Sequence, residues 1–202
     1  MSSPISRGFR RRHQVEADPS RVPPGQYVTA DFPVLSAGPT PHTPLQEWTF
    51  SITGAGVKSK SWTWEEFRAL MTETVTVDVH CVTRWSKLDT TWEGVSVDTL
   101  LGQVAHDASF VLAHSDGGYS SNLPLEDVTD GRAWIAFNFE GEPLDAEHGG
   151  PARLLVPHLY FWKSAKWVRG LDLRDRDAPG FWETYGYHMY GDPWKEQRYA
   201  DD

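Results

Sequence analysis

The chain is poor in reactive sulfur: among 202 residues there is a single cysteine, Cys81. One cysteine excludes an internal disulfide, and with it the stapled fold of small secreted domains. No apolar run approaches the roughly 18 residues that a membrane-spanning helix requires. The first twenty residues, MSSPISRGFRRRHQVEADPS, are polar and basic, without the apolar core of a secretory signal. No hydrophobic stretch follows Arg10–Arg12 either, so the expected address is cytoplasmic. An excess of positive charge is missing too. Nineteen Lys and Arg stand against 28 Asp and Glu, a net charge of −9, which excludes a chain built as a whole to bind nucleic acid. There is no CxxC, HxxxH or HExxH, so a metal would have to arrive with ligands of its own.

What is present is aromatic and unevenly charged. Ten tryptophans is several times the usual number for this length, enough both to fill a core and to line a pocket. Residues 151–170, PARLLVPHLYFWKSAKWVRG, hold Arg153, Lys163, Lys166 and Arg169 and no carboxylate. Residues 126–147 hold seven carboxylates against one arginine, Arg132. A basic island inside an acidic protein suggests a local anion site, although an asymmetric solvated surface would look the same.

Residues 1–47 are broken by Pro, Gly and Ser and read as irregular, wrapping chain, with 1–24 expected to be a flexible arm. From Trp48 the pattern is regular. WTFSITG (48–54) predicts a strand and TWEEFRALMT (63–72) a short amphipathic helix with a Thr63/Glu66 capping box. TVTVDVH (74–80) alternates Val75, Val77 and Val79 against polar residues and predicts a strand. SVDTLLGQVA (96–105) predicts a second helix, capped by Ser96. SFVLAHS (109–115), AWIAFNFE (133–140), RLLVP (153–157) and KWVRGLDL (166–173) predict further strands, and the aromatic C-terminal tail is expected to drape over the body. Many strands, short helices and mixed connections predict one compact α+β domain over residues 25–202.

Cys81 lies in phase with Val75, Val77 and Val79 at the end of its strand. Three readings stay open on this pattern. The thiol could be a buried structural group. It could be a nucleophile, for which the base would be His114, His148 or His158, because His80 points to the opposite face. It could also be a soft ligand to a metal. DGGYSSN (116–122) is a Gly-rich loop that is neither a Walker loop nor a GxGxxG motif, and it reads as a turn or as a close approach to a ligand with Tyr119 offering a phenol. In KSAKW (163–167) two lysines flank a small Ser-Ala step. With Arg153 they could cradle a phosphate or simply face solvent.

The ordered set VDVHCVTRWS, GGYSSNLPLED and HGGPARLLVPHLYFWKSAKWVRGLDL resembles the sulfite oxidase family of molybdenum–molybdopterin oxidoreductases, over about residues 25–195. The short form resembles the family's stand-alone bacterial members, which are related to the methionine sulfoxide reductase catalytic subunit. The resemblance implies a pterin dithiolene and one protein thiolate on molybdenum, with Cys81 at the ligand position. It implies that His148 and Arg153 contact the pterin and its phosphate, and that Ser164, Ala165 and Lys166 form the phosphate-binding turn. Ser115 or Asp116 falls near a further cofactor contact, and Tyr119 at the substrate pocket. The expected reaction is two-electron oxygen-atom transfer on a small oxyanion or sulfoxide, with Arg84, Trp85 and His114 as further pocket candidates. The chain departs from the family at VTRWS after the cysteine and at FPVLSAGPTP (32–41), which lacks an expected Asn or basic residue. It has no length for a haem domain or an immunoglobulin-like dimerisation domain, so a separate electron-transfer partner is expected beside the small-molecule substrate. The competing readings are a non-redox enzyme with Cys81 as nucleophile, and a module that binds an anion or a sugar.

Overall fold

The computed structural model describes residues 17–202. In chain order the described strands and helices are β1 (Tyr27–Val28), β2 (Thr49–Gly54), β3 (Lys60–Thr63), α1 (Trp64–Arg68), β4 (Glu73–His80), β5 (Trp85–Ser96) and α2 (Val97–Leu101). They continue with β6 (Phe110–Ser115), β7 (Ser120–Pro124), β8 (Trp134–Phe139), β9 (Glu142–Pro143), β10 (Arg153–Leu155), β11 (Val168–Arg174) and α3 (Phe181–Thr184). One sheet runs β1-β5-β8-β10, with β4 added to β5 and β9 to β8; the other runs β3-β2-β11-β6-β7. Most pairs are antiparallel, but β1 joins β5 and β2 joins β11 in parallel. This is the expected α+β class.

Local chemistry sets several boundaries. Thr63 accepts from the Glu66 amide while the Glu66 carboxylate accepts from the Thr63 amide, so both halves of the capping box are made. The helix it starts is shorter than its sequence pattern, and Met71, on the expected apolar face, is 68% exposed. Ser96 caps α2 through the Thr99 amide, and that helix stops at Gly102 rather than reaching residue 105. Gly117 and Gly118 both adopt positive φ, which L side chains disfavour, and so they let the chain turn from β6 into β7. The DGGYSSN loop is thus a tight turn followed by a strand.

The largest departure from expectation is β5. It occupies a stretch that carried no strand signal, because its twelve residues mix buried polar side chains (Ser86, Thr90, Ser96) with buried tryptophans (Trp85, Trp92). It pairs with β1, β4 and β8, so both of its edges are used. Along β8, Ile135 and Phe137 enter one apolar cluster shared with Phe50, Ile52, Val111 and Leu171 of the other sheet. Trp134 and Ala136 enter a second cluster with Val79, Trp85, Trp92, Leu155 and Phe161. Each fully buried side chain of this size contributes about 1.5–3 kcal/mol. Cys81 belongs to the second cluster, so the thiol sits on the face of the first sheet that turns away from the main core.

Residues 1–16, the greater part of the expected arm, lie outside the described residues. Just beyond them, Arg21 forms ion pairs with Asp78 and Asp89 and ties residues 19–21 to β4 and β5. Among the described residues no helix is long and apolar enough to cross a membrane.

Candidate functional site

Cys81, just past the end of β4, lines a cavity of about 300 Å³, an outcome its alternation alone left open. Its neighbour His80 points the other way, to Ser86 Oγ at 2.9 Å. The cavity wall has three sources. Cys81, Val82, Thr83 and Trp85 come from the turn after β4; Phe32, Pro33, Leu35, Ser36 and Ala37 come from the N-terminal segment. Tyr119, His148, Arg153, Phe161, Trp162, Ser164, Lys166, Trp167, Trp182 and Tyr187 complete it. No carboxylate among the described residues lines it.

The two cations of the wall lack ion-pair partners among the described residues. Arg153 is 1% exposed. Its guanidinium donates to the carbonyls of His148 (2.8 Å) and Ser164 (2.8 Å), with a longer contact to that of Leu154, and it lies 4.1 Å from the Phe161 ring centre. Burial lowers its pKa, and the only groups opposing the shift are the Tyr119 phenol and the Cys81 thiol, with no carboxylate among them. Lys166 donates to the carbonyls of Leu35 (2.9 Å) and Glu147 (2.6 Å). Its pKa is pushed down to about 8, first by burial and then by the Arg153 charge. Gly149 lets the two approach: a Cβ there would stand 3.0 Å from Lys166 Cβ and 3.1 Å from Arg153 Cβ. Two cations held together without an ion-paired carboxylate among the described residues make a candidate anion site.

Lys163 is not part of it. Its ammonium is fully buried and meets Glu183 at 2.6 Å, and it also donates to Asn122 and to the Met189 carbonyl. The two lysines of KSAKW therefore stand in different surroundings, and only Lys166 lines the cavity with Arg153.

The other expected residues divide in the same way. His148 stacks on Phe32 with ring centres 4.0 Å apart, and its Nε2 lies 3.1 Å from the Phe32 carbonyl. Ser164 accepts from the Val156 amide through its hydroxyl, and Tyr119 donates to the Trp162 carbonyl at 2.6 Å. Arg84, Ser115, Asp116, His114 and Ala165 do not line the cavity. Arg84 is exposed, and its backbone closes the turn that carries Cys81. Asp116 is engaged by Thr43 and Arg169, while its amide holds the Trp167 carbonyl at 3.0 Å. His114 sits against Gly170 in the second sheet, and Ala165 is buried behind the turn.

No histidine among the described residues hydrogen-bonds Cys81; its sulfur meets Thr83 Oγ1 at 3.1 Å. His158 is bound to Asp127 at 2.9 Å. Burial pushes the Cys81 thiol up, opposite to the shift that activates a nucleophile. The nucleophile reading loses its base.

A sequence profile described as the oxidoreductase molybdopterin binding domain matches residues 37–182. The chain belongs to this family. It is an oxidoreductase of the sulfite oxidase type, and the family's cofactor is molybdenum–molybdopterin. It is 42% identical to the uncharacterized oxidoreductase YuiH of Bacillus subtilis, over 90% of this chain and 93% of that protein. It is 27% identical to the protein-methionine-sulfoxide reductase catalytic subunit MsrP of Gluconobacter oxydans, over 71% of this chain and 52% of that one. The sulfane dehydrogenase SoxCD of Paracoccus pantotrophus shares the fold, with a TM-score of 0.64 at 20% identity, over 88% of this chain and 57% of that one. The chain thus spans nearly all of YuiH but about half of MsrP.

The donor set fits that cofactor. A soft thiol lines one wall, and two cations that donate to backbone carbonyls and have no ion-pair partner among the described residues line another. Among the described residues no cluster of three or more His, Cys, Asp or Glu could hold a metal by itself. Sequence reasoning missed the aromatic wall formed by Phe32, Trp162, Trp167, Trp182 and Tyr187; the surplus of tryptophan was its only signal.

Proposed function

We propose that the protein carries out two-electron oxygen-atom transfer on a small oxyanion or sulfoxide, at a molybdenum–molybdopterin bound in this cavity. The carrying observation is Arg153, a buried guanidinium that donates to carbonyls and has no carboxylate partner among the described residues. A buried unpaired charge is costly, and an anionic phosphate is the group that would offset it. When bound, the cofactor supplies the redox step, and the protein supplies position and electrostatics.

In this reading Cys81 is the protein ligand to the metal. Arg153, Lys166 and Ser164 hold the phosphate end, and His148 braces the pterin from its stack on Phe32. Ala165 keeps the turn compact, and Ser115 and Asp116 act through the backbone that holds Trp167. Tyr119 and the surrounding tryptophans exclude water and orient the substrate. Arg84 serves the turn rather than the reacting atoms. A separate electron-transfer partner and a cytoplasmic address belong to the same proposal.

The test is elemental analysis of protein purified from a host that makes molybdopterin. Molybdenum and phosphorus near one atom per chain, with molybdenum lost in Cys81→Ser, are the expected result. Metal-free wild-type protein from such a host would sink the proposal.

A further inference from the structure

Cys81 begins a four-residue turn whose last member, Arg84, has φ +76, a left-handed conformation that non-glycine residues rarely adopt. Such a conformation persists only where its surroundings over-determine it. The turn's own bonds are Arg84 N to Cys81 O (2.9 Å) and Cys81 N to Trp85 O (2.8 Å). The rest of its support comes from the N-terminal segment, outside the matched range 37–182. Tyr27 N donates to Arg84 O at 2.9 Å, Thr29 N donates to Ser86 O at 2.9 Å, and β1 lies parallel on the start of β5. One support is a side chain: Gln26 Nε2 donates to the Cys81 carbonyl at 3.0 Å. Gln26 does not line the cavity, so it reaches the chemistry only through that peptide.

We infer that Gln26 is a positioning residue that clamps the Cys81–Arg84 turn and thereby aims the Cys81 sulfur into the cavity. The inference rests on Cys81 being the metal ligand, but the clamp is a property of the chain itself. Without the Gln26 amide, the Cys81 carbonyl keeps one partner, the Arg84 amide, and that amide belongs to the disfavoured left-handed residue. The turn then opens more often, and the sulfur leaves its direction.

The experiment has two arms. Full-length Gln26→Leu from a host without molybdopterin synthesis is treated with iodoacetamide under native conditions. Alkylation of Cys81 is expected to be roughly tenfold faster than in wild type, the scale of one hydrogen bond. The same variant from a host that makes the cofactor is expected to retain less molybdenum per chain. Adding Arg84→Gly removes the backbone penalty and is expected to return both readouts toward wild type, which a merely destabilised fold would not do. Gln26→Asn, one methylene short, serves as the second variant should Gln26→Leu not fold. Folded variants with wild-type alkylation and molybdenum overturn the inference, as does failure of Arg84→Gly to restore them. Metal-free wild-type protein would instead count against the proposed function, while the alkylation arm still decides the clamp.

Discussion

Arg153 and Lys163 are both cations buried almost completely, one at the start of β10 and the other in the turn that follows it. Lys163 has a carboxylate, Glu183, at 2.6 Å, and Glu183 is held in turn by the Trp162 indole at 2.8 Å. Arg153 has only carbonyl oxygens. Burial lowers the pKa of both groups, but only for Lys163 do carboxylates push back; around Arg153 the opposing groups are the Tyr119 phenol and the Cys81 thiol. The difference separates structure from function. Lys163, with its own counter-ion, fastens the C-terminal tail to the wall, while Arg153, without a carboxylate partner, is the charge the proposed cofactor's anion would meet.

The comparison can be broken most forcefully at Glu183. Glu183→Leu leaves an uncompensated buried ammonium and is expected to destabilise the fold by about 3–5 kcal/mol, read as a lower urea midpoint at unchanged slope. Lys163→Met combined with Glu183→Leu is expected to recover most of that loss, because well-packed apolar groups replace a buried pair at little net cost. A double variant as unstable as the single one would show that the pair does more than neutralise itself.

Arg153→Met should behave in the opposite way. It removes a charge that nothing compensates, which offsets part of the lost carbonyl bonds, so its effect on unfolding should be smaller than that of Glu183→Leu. Its effect on molybdenum and phosphorus per chain should be large, a fall of about tenfold or more. Full retention of both elements in Arg153→Met would remove it from the anion site.

The smallest effect expected is a pH dependence at Lys166. The unfolded chain holds that proton to about pH 10.5 and the folded chain releases it near pH 8. Between these values the unfolded state binds more protons, so the Lys166 contribution makes the cofactor-free protein more stable as pH rises. Anion binding runs the other way. Thermal protection by pyrophosphate, measured on cofactor-free protein, is expected at pH 7 and should shrink above pH 8. Lys166→Met should flatten both trends.

Local signals in the sequence proved readable. The Thr63/Glu66 capping box, the Ser96 cap and the period-two run into Cys81 each depend on residues a few positions apart, and the structure makes all three. The motif resemblance identified the family. Long-range placement was not readable. Lys163 and Lys166 are the same residue type three positions apart, and only the folded tail, which brings Glu183 to one of them, tells them apart. The cavity's aromatic wall draws Phe32 onto His148 across 116 residues, a separation at which no periodicity operates. β5 was hidden because a strand paired on both edges and buried in part through serine and threonine shows no clean alternation.

An ammonium carries three protons, and two of those on Lys166 are already committed, one to Leu35 in the N-terminal segment and one to Glu147. One remains for an incoming anion. An anion that demands a second must take it from a backbone carbonyl, and when that carbonyl is Leu35's, the segment carrying Leu35 is set loose. If the cavity takes the proposed anion, its occupancy and the docking of residues 32–37 would draw on a shared donor, and linkage of this kind is reciprocal. Whatever holds the segment down limits the grip on the anion, and a tightly gripped anion leaves the segment freer to move.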